Sequence, residues 1–450
     1  MANYNAELTI ERIRAALETQ RIQDAVSILL SLHPVDRAEV FNLLDDPEQE
    51  LLLDRLDIPT TADLLEELED EVVLEAIESL STERLADVLD EMEPDEAADL
   101  LGDLPPEQAT EALAQMEDAD EVIPLLGYPD ETAGGLMTTS YIALRRHTRA
   151  EQAIQFLRQA SPETEIPYYL YVIDKANRLY GVVGLRELVV AEPASTMESI
   201  MDHEVIFVTG GTDQEDVARI MTRYDLAAVP VVDDKQRLMG VITHDDILEV
   251  LENEATEDVY RLANVADTDL GPQSPITEQL KGRLPWIYLN TATALFASWV
   301  ISNFEWLIAQ VAILAAFQSV VAGLGGNTAS QNVAMIVRSL ALGKITSKLI
   351  WRIMGRQILV GLLQGIAIGV VIGFAVTIWR GDPYLGLILG LAMVGNMIVA
   401  SIVGTAVPLG LNALGQDPAL ASSVFVTAVT DSCGFFIFLS LAALFFNYLT

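Results

Sequence analysis

Charge nearly vanishes from the last part of this chain. Residues 281–450 hold 4 acidic and 8 basic side chains, whereas residues 1–280 hold 62 acidic and 18 basic ones. The first part therefore carries −44 and the second +4, within a whole-chain charge of −40 over 450 residues. Long apolar runs broken only by short charged turns leave few choices. In a bilayer every backbone N–H and C=O must be paired inside the segment, so each run predicts a membrane-crossing helix. Five spans are expected, at about 285–303, 306–338, 356–379, 384–410 and 419–448. They make residues 284–450 an all-α polytopic membrane domain with five transmembrane helices.

The remaining charges orient it. Arg338, Lys344, Lys348, Arg352 and Arg356 separate the second and third runs, and Lys281 and Arg283 precede the first. Basic loops stay on the cytosolic side. This predicts a multi-pass protein of the plasma (inner) membrane, its N-terminus cytoplasmic and its C-terminus outside. The start of the chain, Met-Ala-Asn-Tyr-Asn-Ala-Glu, lacks the basic and apolar regions of a signal peptide. The only cysteine is Cys433, so no disulfide framework is expected, in keeping with reducing cytosol. The acidic part would repel nucleic acid and anionic lipid. Its natural counter-ions are cations, though acidity also serves solubility.

Within the last run, the stretch Thr-Ala-Val-Thr-Asp-Ser-Cys-Gly (427–434) holds Asp431, the only charge after Ala419. About 12 residues of helix, at a rise of about 1.5 Å, place it about 18 Å deep, near the middle of a core about 30 Å thick. A carboxylate there needs a wet cavity, a partner or a cation. It reads as a cation position in a pore, or as a protonated, hydrogen-bonded carboxyl between helices. The second run holds Gly-Leu-Gly-Gly-Asn-Thr-Ala-Ser-Gln (323–331). Its glycines let backbones approach or turn carbonyls to a cavity, and Asn327 and Gln331 share one helical face. Alone it reads equally well as a packing seam, and together with Asp431 it favours a pore lining.

The acidic part opens with short amphipathic helices recurring at about 12 residues over 8–128. Pro34, Pro59, Pro94, Pro105 and Pro106 stand near helix starts, where a missing N–H costs nothing. This predicts an all-α N-terminal helical superhelix. Next comes an internal duplication at an offset of 59, pairing Val172 with Val231, Asp174 with Asp233, Arg178 with Arg237 and Gly181 with Gly240. Each copy reads helix, strand, turn, strand, helix. A further helix is expected over 248–262, interrupted by Gly-Pro-Gln-Ser-Pro at 271–275. His33, His147, His203 and His244 form no metal cluster, and no nucleophile triad or P-loop is legible, so an enzyme is not expected.

The duplicated segment resembles a tandem pair of CBS domains, an α/β unit that often binds adenine nucleotides. The nucleotide positions would match Arg186, Glu187 and Asp246 here, with ATP or a related nucleotide as ligand. The whole order resembles the MgtE family of magnesium channels: acidic helical domain (1–130), CBS pair (131–254), linking or plug helix (255–283) and membrane domain (284–450). The residues carrying the resemblance are Gly323-x-Gly-Gly-Asn-Thr, Asp417-Pro-Ala, Asp431-x-x-Gly and Glu254-Ala-Thr-Glu-Asp258.

The resemblance implies a homodimer in the bilayer with its pore between two membrane halves. Hydrated Mg²⁺ would be held at Asp431 with help from Gly323, Asn327 and Thr427. Regulatory Mg²⁺ would bind at Asp213, Glu215, Asp225, Asp246, Glu249, Glu257, Asp258 and Asp417, and in the N-domain at Asp63, Asp95 and Asp99. The chain departs from the family at Ser319 and Val424, where prolines are usual, and at Ala329, where glycine is. The expected function is Mg²⁺ import gated by cytosolic Mg²⁺. A secondary transporter of Mg²⁺, Co²⁺ or Mn²⁺, and a membrane-anchored nucleotide sensor, are the alternatives.

Overall fold

Seven helices of the first unit begin at residues 34, 46, 58, 70, 82, 94 and 106, a repeat of 12 residues. The computed structural model describes residues 6–68, 70–77, 80–159, 169–265, 270–271, 274–346, 348–420 and 423–449. It divides into two compact units, Met1–Val250 and Leu251–Thr450. The first opens with α1 (Ala6–Glu18), α2 (Ile22–Leu30), α3 (Pro34–Asn42), α4 (Asp46–Leu53) and α5 (Ile58–Leu65). It continues with α6 (Asp70–Ile77), α7 (Thr82–Glu91), α8 (Pro94–Asp103), α9 (Pro106–Leu113) and α10 (Ala119–Val122).

Each repeat restarts for a local reason. Proline occupies the first turn of α3, α4, α5, α8 and α9. Asp57 and Ser81 accept hydrogen bonds from Thr60 N and Arg84 N to cap α5 and α7, and Asp45 with Glu48 forms a capping box at α4. The α4 repeat lies between Asn42 and Ile58, in step with the others. One apolar stripe per helix feeds a continuous core through Phe41, Leu53, Leu65, Leu89 and Leu101, and that core reaches Val229, Ile242 and Ile247 of the second CBS-like repeat.

The duplication keeps its register in the antiparallel hairpins, where each residue pair of the first recurs 59 positions later in the second. In the first sheet β1 (Ala143–Arg145) runs parallel to β2 (Tyr169–Ile173), which pairs antiparallel with β3 (Leu179–Gly184). The second sheet repeats this with β4 (Val208–Thr209), β5 (Ala228–Val232) and β6 (Leu238–Thr243). Both antiparallel pairs carry an irregularity at matching positions, Val172/Ile173 and Val231/Val232. Asp174 and Asp233 organise the two hairpin turns by accepting from the backbone N–H groups of Ala176 and Arg178, and of Lys235 and Arg237. The turns also pair with each other, Leu179 N donating to Gln236 O and Leu238 N to Asn177 O. Helices α11 (Ala150–Gln159), α12 (Leu185–Val190), α13 (Met197–Ile200) and α14 (Gln214–Tyr224) complete the repeats. The helix α15 (His244–Leu262) continues from β6.

The second unit holds α16 (Ile276–Ser302), α17 (Glu305–Gln310), α18 (Ile313–Ala341), α19 (Ile350–Arg380) and α20 (Pro383–Ala413). A single 3-10 turn, Pro418–Leu420, precedes α21 (Ser423–Leu444) and α22 (Phe446–Leu449). The first span begins earlier than expected, with Pro285 inside α16. The second is split, α17 ending before α18 begins. Within the plug segment, residues 266–269 and 272–273 lie outside the described residues, as do residues 421–422 of the fifth span. Among the described residues four helices are long and apolar enough to cross a membrane: α16, α19, α20 and Val424–Leu444. The remaining expected span, the second, falls on α18, which has the length, at 29 residues, but its glycines, amides and hydroxyls dilute its apolarity.

A glycine seam that the sequence reading missed joins α19 to α20. A Cβ on Gly369 would stand 2.6 Å from the Gly390 carbonyl, and one on Gly373 would stand 2.8 Å from that of Gly386. Gly361 and Gly365 extend the row against Ser401 and Val394. Small residues four apart let two helices meet backbone to backbone, the usual route to tight packing where lipid is as apolar as leucine. The outward face of α19 carries Leu363, Val370, Phe374, Ile378 and Trp379, all exposed. Aromatic pairs Tyr384–Tyr448 and Trp306–Phe446 gather where α20 begins and α22 ends, as in an interfacial belt.

Candidate cation sites

In the membrane unit, α18 and α21 meet through small residues. A Cβ on Gly326 would lie 3.6 Å from Thr427 Cγ2, ordinary contact distance. Beside it the Asn396 amide of α20 fills the space where Gly325 and Gly434 lack side chains, and Asn396 Nδ2 donates to Val321 O at 2.8 Å. Asp431 lies one helical turn from Thr427 and one from Gly434, on the same face of α21. It is half-buried. Ser319, Gly323, Asn327 and Gln331, each four residues from the last, form an exposed stripe along α18. The structure thus brings the glycine stretch of α18 against the Asp431 face of α21. Of the family departures, Ser319 lies on the stripe, while Ala329 and Val424 are buried, and α18 runs unbroken through 319–329.

Sequence reasoning passed over Asn396. A single amide in mid-run between apolar residues was the available signal. Other buried polar groups lie near it in sequence or space. Thr328 Oγ1 donates to Leu324 O at 3.0 Å. Asn332 Nδ2, Ser401 Oγ and Thr405 Oγ1 are buried with no hydrogen-bond partner among the described residues.

In the first unit, Asp95, Glu96, Asp99, Asp246 and Glu249 gather into one acidic neighbourhood. Asp95 is 8% exposed, and its Oδ1 has no hydrogen-bond partner among the described residues. Burial, and then the charge of Asp246, push its pKa up to about 7. Burial among its neighbours, and then Asp95, Asp99 and Glu249, raise Glu96, although part of that side chain reaches solvent. Asp246 accepts from Thr243 N at 3.0 Å and from Thr243 Oγ1 at 2.8 Å, a capping contact at the start of α15. An orphaned carboxylate oxygen beside other carboxylates suits a divalent cation. Among the described residues no three His, Cys, Asp or Glu side chains converge on one point. Paired carboxylates suffice for an ion that keeps most of its water.

The other soluble candidates are scattered. Asp213 caps α14, accepting from Glu215 N at 3.0 Å, and Asp225 ends that helix in the left-handed conformation at φ 54°. Asp63, Arg186 and Glu187 are exposed.

In the second unit, Glu257 and Asp417 both pair with Arg261. Burial, then the charge of Asp417, raises the pKa of Asp258, against a lowering influence from Arg338. Asp417 Oδ1 also accepts from Ala419 N at 2.7 Å. Leu262 packs on Ala329, Val333, Val337, Ala400 and Val426. The three carboxylates expected there do come together, with a guanidinium already among them. Arg261 is the participant that the sequence reading left out.

A CBS-type pair joined to long apolar helices, with a carboxylate and amides where those helices meet, defines a membrane protein of the cation-transport class. Family models for a divalent cation transporter, MgtE, for the MgtE intracellular N domain and for CBS domains match residues 318–441, 32–131, and 133–193 with 197–253. The magnesium transporter MgtE of Thermus thermophilus is 39% identical over 326 residues, 72% of this chain and 72% of its own length. That of Enterococcus faecalis is 36% identical, over 74% of this chain and 73% of its own. The chain belongs to the MgtE family of divalent cation transporters.

Two solved structures match its soluble part. The soluble part of a magnesium transporter superposes with a TM-score of 0.51 at 33% identity, covering 56% of this chain and 100% of that one. The cytosolic domain of the Mg²⁺ channel MgtE in complex with ATP gives 0.51 at 34% identity, covering 54% and 99%.

Proposed function

We propose that this chain is a Mg²⁺-selective channel that works as a homodimer and carries Mg²⁺ into the cell across the plasma membrane. Cytosolic Mg²⁺ closes it by binding the acidic sites. The observation that carries this reading is the polar stripe Ser319, Gly323, Asn327 and Gln331, exposed along a membrane-length helix. Amides facing hydrocarbon are costly. A second copy of the chain across a water-filled gap relieves that cost and makes the stripe a pore wall, with α18 as the second of five spans. Asp431, one turn from Thr427, supplies the charge. Mg²⁺ sheds water reluctantly, and a single carboxylate with amide and carbonyl neighbours can hold it through its hydration shell.

The basic residues Lys281, Arg283, Lys344, Lys348, Arg352 and Arg356 favour a cytosolic N-terminus and an external C-terminus. The relative's ATP complex supports an adenine nucleotide at the CBS pair, near Arg186, Glu187 and Asp246. Tyr171, 2% exposed between the repeats, has a hydroxyl without a partner among the described residues, which fits a polar ligand there.

Flux into proteoliposomes tests the pore. Asp431→Ala is expected to abolish Mg²⁺ uptake while the dimer still forms, and Asp431→Asn to fail nearly as completely, because the amide keeps the shape and loses the charge. Wild-type uptake by Asp431→Ala would refute the assignment.

A further inference from the structure

We propose that Asn396 is a positioning residue of the conduction site, setting the glycine stretch of α18 against the Asp431 face of α21. This rests on the pore reading above. Asn396 belongs to α20 and is 0% exposed. Its Nδ2 donates to Val321 O at 2.8 Å, a carbonyl inside α18 one turn before Gly325. The amide occupies the space in which Gly325 would carry a side chain, and a Cβ on Gly434 would stand 2.8 Å from Nδ2 and 2.9 Å from Cγ and Oδ1. One side chain thus fixes two helices at once. On α18 it holds the turn midway between Gly323 and Asn327, and on α21 the turn next to Asp431.

Stability does not account for an amide here. Asn396 Oδ1 is buried with no partner among the described residues, and an unsatisfied buried acceptor is a cost that an apolar side chain of similar volume avoids. Leucine would fill the slot without that cost. What leucine cannot do is pull on the Val321 carbonyl. The amide therefore gives up stability to define the spacing of two helices whose facing residues hold the ion.

The test separates filling the slot from making the bond. Asn396→Leu keeps the volume and loses the donor. In the double variant Asn396→Ala with Gly434→Ala, a methyl refills the vacated slot, again without a donor. Both go into full-length protein in proteoliposomes, with uptake recorded across a range of Mg²⁺ concentrations and the melting temperature measured in detergent. The expected result is a melting temperature at or above wild type, together with at least a tenfold rise in half-saturating Mg²⁺ or fall in maximal flux. Uptake within twofold of wild type in either variant would overturn the proposal and leave Asn396 as filler. Failure of both variants to assemble would also overturn it, since a positioning role requires the fold to survive loss of the bond. Asp431→Ala is run alongside. If that variant conducts, the pore reading has failed. If it is dead while the Asn396 variants conduct normally, only the present inference has.

Discussion

Asp95 shows how one carboxyl can couple proton, metal and fold. Its pKa stands near 7 because burial, and then Asp246, penalise the charged form. A carboxyl raised in the folded state binds its proton more tightly folded than unfolded. Its favourable contribution is full at low pH, below the ordinary value of 3.8, and is lost as pH rises towards about 7. Without divalent ions, packing around α8 is therefore expected to loosen between about pH 4 and pH 7. Asp95→Asn, with no charge to bury, should flatten that decline and protect α7 to α9 at pH 7.5, read as slower amide hydrogen exchange. Added Mg²⁺ should protect the wild type and do little for the variant. Equal exchange in both proteins at every pH would show that Asp95 bears no such burden. At this scale the sequence was uneven. Asp431 stood out because a lone charge in an apolar run has few excuses, whereas Asn396 was missed because a neutral amide raises no alarm until its two glycine neighbours are seen around it.

At the scale of elements, periodic features were legible and the packing of glycines between helices was not. The repeat of short helices and the duplication at 59 residues both follow from local rules, proline and side-chain caps in one case and matching turn aspartates in the other. α18 falls within the second run, read from the sequence as a span over 306–338, and it has the length of one, but its glycines, amides and hydroxyls leave it less apolar than the four helices that qualify. The α19–α20 seam went unread because glycines four apart look like weakness in a helix until a partner helix supplies Gly386 and Gly390.

Gly369→Val has to push α19 off the Gly390 carbonyl and should cost roughly 1–3 kcal/mol, seen as a lower melting temperature in detergent. Gly355→Ala on the same helix meets nothing within 4 Å, and should be neutral or slightly stabilising. Equal melting of the two would remove the seam from the account. At the end of α15, Arg261 already neutralises Glu257 and Asp417, so it competes with any cation there. Arg261→Met should loosen the end of α15 in chelator and tighten it in Mg²⁺, widening the difference in hydrogen exchange across 255–262 between the two conditions. An unchanged difference would mean that no cation shares those carboxylates.

For the molecule as a whole, the governing quantity is the charge of −44 gathered in residues 1–280. Two carboxylates about 4 Å apart repel by about 4 kcal/mol at an effective dielectric near 20. An arrangement that crowds several of them, as around Asp95, Asp246 and Glu249, is therefore favoured only when ions or protons offset the repulsion. Ions that bind one arrangement and not another shift the balance by mass action. Since several ions would act together, the response to Mg²⁺ should be steep. Limited proteolysis between the N-terminal helices and the CBS repeats is expected to slow sharply as Mg²⁺ rises into the millimolar range. Sodium chloride at matched ionic strength separates the two meanings of an acidic surface. General screening would protect equally well with monovalent salt, whereas bridging requires the divalent ion. Asp246→Asn and Asp258→Asn should move protection and channel closure to higher Mg²⁺, and deletion of residues 1–130 should weaken closure while uptake persists. If cleavage ignored Mg²⁺, or sodium matched it at equal ionic strength, the acidity would serve solubility alone and gating would have to arise within the membrane helices.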